Sequence, residues 1–273
     1  MKNDVVVIQF PGVNCEYETA RSLESVGLSA KIVRWNAAAE SLEHAAAIVL
    51  PGGFSYQDRI RAGVVAAKDR IMDAVFDAAS RGVPVLGICN GAQILVESGT
   101  VPGFQPGTIG LALAPNRMPD RNGYFCTWVR VKKGPARCIF TEFLDGSRED
   151  GGTIPIPLAH AEGRFVTASQ EVTRRLEAAE GVALLYARPD GSTADSFPEN
   201  PNGSLLAIAG VTNPAGNVLA LMPHPERATW LHQVPRDVGG YWGRLRDGAA
   251  PDTLYRPGPG WGFFDSLRKG LAS

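Results

Sequence analysis

Four short apolar runs, at residues 5–10, 30–35, 46–50 and 84–88, are separated by stretches with helical spacing. An unbroken apolar run with no polar alternation suits a strand buried on both faces, which is the condition of a parallel sheet covered by helices. The first run stops at Pro11-Gly12-Val13-Asn14. Ala20, Leu23 and Val26 then recur at helical spacing until Gly27 closes the pattern. A longer helix is predicted over about 62–80, with apolar positions at Val65, Ile71, Val75 and Ala79. Strand and helix alternating in this way predict an α/β fold, a doubly wound and mostly parallel sheet. Chemistry in such sheets gathers at the carboxyl ends of the strands.

After Gly99 the pattern changes. Runs at 125–131, 154–160, 163–168, 182–187, 205–211 and 218–221 read as strands separated by turn-rich segments. Asn213-Pro214-Ala215-Gly216-Asn217 joins the last two as a hairpin, so antiparallel additions to the sheet are expected. No break marks a second domain, and residues 1–273 are read as one. Residues 228–260 read as a loop-rich attachment whose aromatics pack over a groove on their own chain, with docking of a partner as the alternative, and 261–271 as a terminal helix.

The formal net charge of -1 argues against nucleic acid or an anionic membrane as partner. The four cysteines, Cys15, Cys89, Cys126 and Cys138, have neither metal-ligand spacing nor a dense disulfide pattern, so no metal is expected and a reducing cytoplasm fits. Met1 leads into the first strand without a signal core, and no run approaches the length of a membrane span. A cytoplasmic location is expected.

The fourth run ends at Cys89, and helical spacing resumes at Gln93-Ile94-Leu95-Val96-Glu97. Gly87 and Gly91 flank the cysteine, giving Gly-x-Cys-x-Gly. Glycines at those positions let strand and helix approach while the corner residue is held strained. Such an elbow lifts the thiol off the sheet, aims the Asn90 N–H at whatever the sulfur attacks, and sets a helix N-terminus beside the thiol. A buried structural cysteine fits the same pattern until a partner is found. Of the four histidines, His224 has the context for one. It follows the strand 218–221 within Pro223-His224-Pro225-Glu226-Arg227, and Glu226 can hold its imidazole in orientation.

The glycine elbow, the Pro51-Gly52-Gly53 turn and the His224-Pro225-Glu226 segment together resemble the triad-type (class I) glutamine amidotransferases, whose flavodoxin-like sheet matches the predicted fold. Further segments are Phe10-Pro11-Gly12-Val13-Asn14-Cys15, Gly53-Phe54-Ser55-Tyr56, His160-Ala161-Glu162-Gly163-Arg164 and Asn200-Pro201-Asn202-Gly203-Ser204. These are similar to the branch of the family that feeds ammonia to a separate synthetase of purine biosynthesis. Gln57 and Ala161 stand where that branch usually has glycine, and 228–260 has no counterpart in its shorter members.

The resemblance implies hydrolysis of L-glutamine through a thioester on Cys89, with His224 as base and Glu226 orienting it. It implies an oxyanion hole from the N–H groups of Gly53 and Asn90. Phe54, Gln93 and His160 are candidates for the glutamine pocket. Gln93 reads equally as a helix-capping residue, and His160 as a structural histidine at a strand end. No cofactor is expected on this chain. ATP and Mg²⁺ belong to the synthetase subunit, which makes formylglycinamidine ribonucleotide, and a small third subunit bridging the two is a further expected partner. The competing readings are another class I amidotransferase, serving GMP or CTP synthesis, a protease or chaperone of the same fold, and a non-catalytic scaffold.

Overall fold

Each early apolar run is a strand: β1 (Asp4–Gln9), β2 (Ser29–Arg34), β3 (Ala47–Leu50) and β4 (Val85–Ile88). They alternate with α1 (Glu16–Ser25) and α2 (Ile71–Ser80), and β4 runs directly into α3 (Asn90–Glu97). This computed structural model describes residues 4–37, 39–146, 149–178 and 180–272, so Met1 and the far end of the span 1–273 lie outside the described residues. Every residue of β3 and β4 is buried, as their unbroken apolar character requires.

The later strands are β5 (Ala112–Pro115), β6 (Phe125–Lys133), β7 (Thr153–His160), β8 (Glu162–Val166), β9 (Val182–Ala187), β10 (Ile208–Thr212) and β11 (Val218–Leu221). Nine strands form one sheet in the order β2-β1-β3-β4-β11-β10-β9-β6-β7. From β2 to β11 the neighbours are parallel, and from β11 onward they are antiparallel. The 2-1-3-4 start is the flavodoxin-like order. β11 is last in sequence yet central in space, with Leu221 level with Ile88. The hairpin at 213–217 joins β10 to β11 as expected. β7, with Pro155 and Pro157, lies at the sheet edge, where a residue without an N–H is tolerated.

Several elements differ from the sequence reading. The helix predicted over 62–80 begins only at Ile71. Before it, residues 66–68 make one tight turn and Asp69 is extended. Gly63 causes the break: with φ +78 it lies so close to α3 that a Cβ would come within 2.8 Å of Gln93 and Ile94, so the segment crosses α3 rather than coiling. The run at 205–211 becomes a strand only at Ile208, after Leu206 and Ala207 adopt positive φ. β5 pairs with β8 in a separate two-stranded sheet. Two helices, α4 (Gln170–Glu177) and α5 (Gly240–Asp247), were not predicted, whereas the terminal helix was and is α6 (Trp261–Ala272). α4 is only two turns long and its apolar side is Val172 and Leu176 alone, while α5 buries only Gly243, so neither repeats an apolar stripe long enough to mark a helix in sequence.

The attachment is therefore part helix. Arg130 of β6 pairs with Asp150 at 2.9 Å, and the Tyr241 N–H donates to the same carboxylate at 2.8 Å, which ties α5 to the β6–β7 edge. At its far end Gly260 packs against Pro225: a Cβ there would lie 2.1 Å from the Pro225 carbonyl oxygen.

At Gly91 an added Cβ would lie 1.9 Å from the carbonyl oxygen of Leu50. Gly91→Ala is expected to cost at least about 1–3 kcal/mol, the usual penalty of overpacking, in urea unfolding. An unchanged midpoint would show that β3 and α3 do not approach as closely as described.

Candidate active site

Four adjacent strands, β1, β3, β4 and β11, deliver their carboxyl ends to one point. Cys89 follows β4 with φ 50 and ψ -101, a conformation that L-residues avoid. Its N–H donates to the carbonyl of Leu221 at 2.8 Å, so the last turn of backbone before the thiol is pinned to β11. The flanking glycines are required. A Cβ on Gly87 would lie 2.6 Å from the carbonyl oxygen of Gly91. The thiol itself is buried, 3.6 Å from the Ala159 carbonyl oxygen.

His224 lies just beyond β11, and its N–H donates to the Pro157 carbonyl at 2.8 Å. Its Nδ1 is 2.6 Å from Oε1 of Glu226, and both residues are buried. Burial pushes the imidazole pKa down, but the Glu226 carboxylate and then the neighbouring Cys89 lift it well above its usual value. Nε2 has no hydrogen bond of ordinary geometry among the described residues, with the Cys89 and Cys15 thiols close enough to raise the imidazole pKa further. Gly52 makes room for the ring, since a Cβ would meet Cε1 at 2.7 Å. This is a thiol, an imidazole and a carboxylate in series, the set of an activated nucleophile.

Asn90 is fully buried at the first turn of α3, where a backbone N–H has no helical acceptor. Gly53 has φ +150 and pairs with Val13, so close that a Cβ would sit 2.6 Å from the Val13 Cα. Phe54 is 42% exposed, its ring 6.4 Å from that of Tyr124. Gln93 is engaged at both ends: Oε1 accepts from Asn90 Nδ2 at 2.9 Å, and Nε2 donates to the Glu162 carbonyl at 2.6 Å. His160 is buried with Nδ1 3.1 Å from Asn116 Oδ1. Burial, then the charge on His224, push its pKa down to about 3, so it is a neutral histidine beside the triad.

Sequence reasoning missed two neighbours of His224. Cys15, at the head of α1, is 1% exposed, and its Sγ accepts from Arg227 Nη2 at 3.1 Å. Burial raises its pKa, which keeps it a neutral thiol. Donor atoms of Cys15, His224 and Glu226 lie within 4.8 Å of one another. Two of those donors are already bonded to each other and the third receives a guanidinium, an arrangement suited to proton transfer rather than to caging a cation. Cys15 closes the segment Phe10–Cys15, but only the side-by-side order of β1, β3, β4 and β11 brings it to His224.

A model of the CobB/CobQ-like glutamine amidotransferase domain matches residues 2–247. Phosphoribosylformylglycinamidine synthase subunit PurQ of Methanothrix thermoacetophila is 42% identical, with 97% of each chain covered. The chain belongs to the PurQ family of glutamine amidotransferases. PurQ of Pyrococcus furiosus is 40% identical over 82% of this chain and 88% of its own. A Thermotoga maritima PurLQS structure matches with a TM-score of 0.71 and 31% identity, covering 99% of this chain and 100% of the other. A Trypanosoma brucei CTPS glutaminase domain, at 14% identity and a TM-score of 0.52, shares the fold. Among the described residues no helix is long and apolar enough to cross a membrane.

In this PurQ-family chain the loop after Phe54 is strained. Tyr56, Gln57, Asp58 and Ile60 all have positive φ. Gln57, with φ 61 and ψ 27, occupies the left-handed region that a glycine would enter without penalty. Asn90 holds the loop to the elbow: Oδ1 accepts from the Ser55 N–H at 3.0 Å, and Nδ2 reaches Asp58 Oδ1 at 3.4 Å. Ala161, the other departure, still accepts at its carbonyl from the Asn116 N–H at 2.8 Å.

Gln57→Gly is expected to stabilise the chain by about 0.5–1 kcal/mol, the left-handed penalty less the added chain entropy of glycine. A lower midpoint in urea would show that the side chain contributes more than its contact with Arg59. Burial and the nearby Glu162 raise Asp58 to about 6, against about 3.9 unfolded. The folded state therefore binds more protons between those values, and stability falls as pH rises through them. Unfolding followed between about pH 4 and 7 is expected to show a shallower fall for Asp58→Asn, and equal slopes would refute the assignment.

Proposed function

We propose that this chain hydrolyses the side-chain amide of L-glutamine and delivers the ammonia to a separate synthetase subunit of phosphoribosylformylglycinamidine synthase. The observation that carries the reading is the buried His224–Glu226 contact of 2.6 Å beside a strained Cys89. His224 Nε2 takes the thiol proton, and the sulfur attacks the amide carbonyl. The N–H groups of Asn90 and Gly53 receive the oxyanion, a service worth about 3–4 kcal/mol per donor in other enzymes. Protonated His224 then gives its proton to the departing ammonia, leaving a Cys89 thioester. Neutral again, it draws a proton from water, which releases glutamate. Glu226 holds the ring throughout.

Phe54 is set to border the entrance for glutamine. Gln93 acts through Asn90 and the Glu162 backbone, shaping the pocket wall rather than reaching for the substrate. His160, neutral and bonded to Asn116, fills the wall behind the triad. The likeness to the Thermotoga maritima PurLQS structure supports assembly with a PurL-type synthetase, and a small third subunit is consistent with it. ATP and Mg²⁺ belong to that partner in this reading, as does the formylglycinamide ribonucleotide, and the cytoplasm is the setting.

Glutamate release from L-glutamine, by the chain alone and with the synthetase subunit, ATP, Mg²⁺ and formylglycinamide ribonucleotide, tests both parts. Stimulation by the partner that disappears in Cys89→Ala is the expected result. Activity indifferent to the partner removes the purine assignment, and activity that survives Cys89→Ala removes the thioester.

A further inference from the structure

Glu226 and Arg227 are successive residues, and each has a buried polar atom without a partner: Oε2 of the carboxylate and Nε of the guanidinium. A buried carboxylate oxygen and a buried guanidinium N–H ordinarily satisfy one another, since leaving either unpaired is costly. Here they do not. Both lie on the turn Pro225–Arg227, and side chains leave such a turn about a third of a revolution apart. Glu226 is thereby directed to His224. Arg227 is directed to the sulfur of Cys15 at 3.1 Å, with Glu18 at 3.8 Å on its outer side. Cys15 is fixed in turn, its N–H donating to the Gly52 carbonyl at 3.2 Å and its thiol to Asn14 Oδ1 at 3.3 Å.

We propose that Cys15 is a positioning residue whose thiol holds the Arg227 guanidinium off the Glu226 carboxylate, so that the carboxylate serves His224 alone. The inference rests on the triad reading above. Were the guanidinium to bind Oε2, a permanent positive charge would neutralise the carboxylate and weaken its hold on the imidazolium. The base that takes the Cys89 proton would then be a poorer one. A neutral thiol suits the parking position. It accepts the guanidinium N–H, and although its sulfur also lies beside the imidazole it brings no charge there to compete with Glu226. The other titratable groups around His224 are Cys89 from the elbow, His160 from β7 and Tyr124 from the segment before β6, each electrostatically coupled to it.

The test is the pH dependence of glutamate release by the synthetase-activated complex carrying Cys15→Ala, Arg227→Met, and the two together. Cys15→Ala is expected to lower kcat at least about tenfold, within the range that a general base supplies, and to move the acid limb of the profile. Arg227→Met alone is expected to stay within about threefold of the parent, there being no guanidinium left to misplace. The double variant is expected to recover most of the lost rate and the original profile, because the charge that harmed Cys15→Ala is gone. A merely structural role for Cys15 predicts the opposite, a double variant no better than Cys15→Ala. That result overturns the proposal, as does full activity in Cys15→Ala. Should Cys15→Ala fail to fold, Cys15→Ser keeps an acceptor for the guanidinium and is expected to hold the parent profile. A moved profile in Cys15→Ser that Arg227→Met does not restore overturns the proposal equally. Cys89→Ala run alongside separates the two failures, since activity surviving there defeats the triad reading itself.

Discussion

The pairing of β11 with β4 is the contact on which the site depends. Leu221 stands level with Ile88, and the Cys89 N–H closes the ladder onto the Leu221 carbonyl at 2.8 Å. Register in a buried sheet is set by which side chains face the core, and a slip of one residue turns every side chain to the other face. The same ladder that buries Val218 to Leu221 therefore sets the height of His224 relative to Cys89. The thiol and the imidazole need no loop to bring them together, because each is the first chemistry beyond its own strand. What remains is local: glycines at 87 and 91 that let α3 start at the thiol, and a turn that swings Glu226 onto the ring.

Much of this was legible in the sequence because it is written in local patterns. Unbroken apolar runs gave the parallel half of the sheet, and the flanked Cys89 with the Pro-bracketed His224 and Glu226 gave the three members of the candidate triad. What was lost depends on contacts between distant residues. Gly63 stops a helix that the periodicity carried back to 62, and it does so by touching α3. α4 and α5 bury one residue each and are two turns long, too short for their apolar positions to repeat. Cys15 and Arg227 stand far apart in the chain and meet only because β1, β3, β4 and β11 lie side by side and deliver their carboxyl ends together. The partners of the Gln93 amide, Asn90 and the Glu162 backbone, were likewise not readable from its place one turn past the nucleophile.

Asn90 links the elbow to the strained loop in front of it. Its backbone starts α3, while its side chain binds Ser55, Asp58 and Gln93. A run of left-handed residues at 56–58 is costly in isolation and persists only where the surroundings over-determine it. Here the anchors are the buried amide of Asn90 on one side and the Gly12 carbonyl, which accepts from the Phe54 N–H at 3.0 Å, on the other. The loop conformation is therefore tied to the same helix terminus that carries the candidate oxyanion donor, and the two move together or not at all.

The central place of β11 has a consequence in time. Of the eleven strands described it is synthesised last, yet it fills the gap between β4 and β10. A nascent chain that has not yet released residues 218–221 has a thiol elbow with no imidazole beside it. Even then Pro225 lacks its cover until Gly260 has emerged and packed against it. The ribosome thus delivers the imidazole after every strand of the sheet, and thiol and imidazole stand side by side only once the sheet is closed.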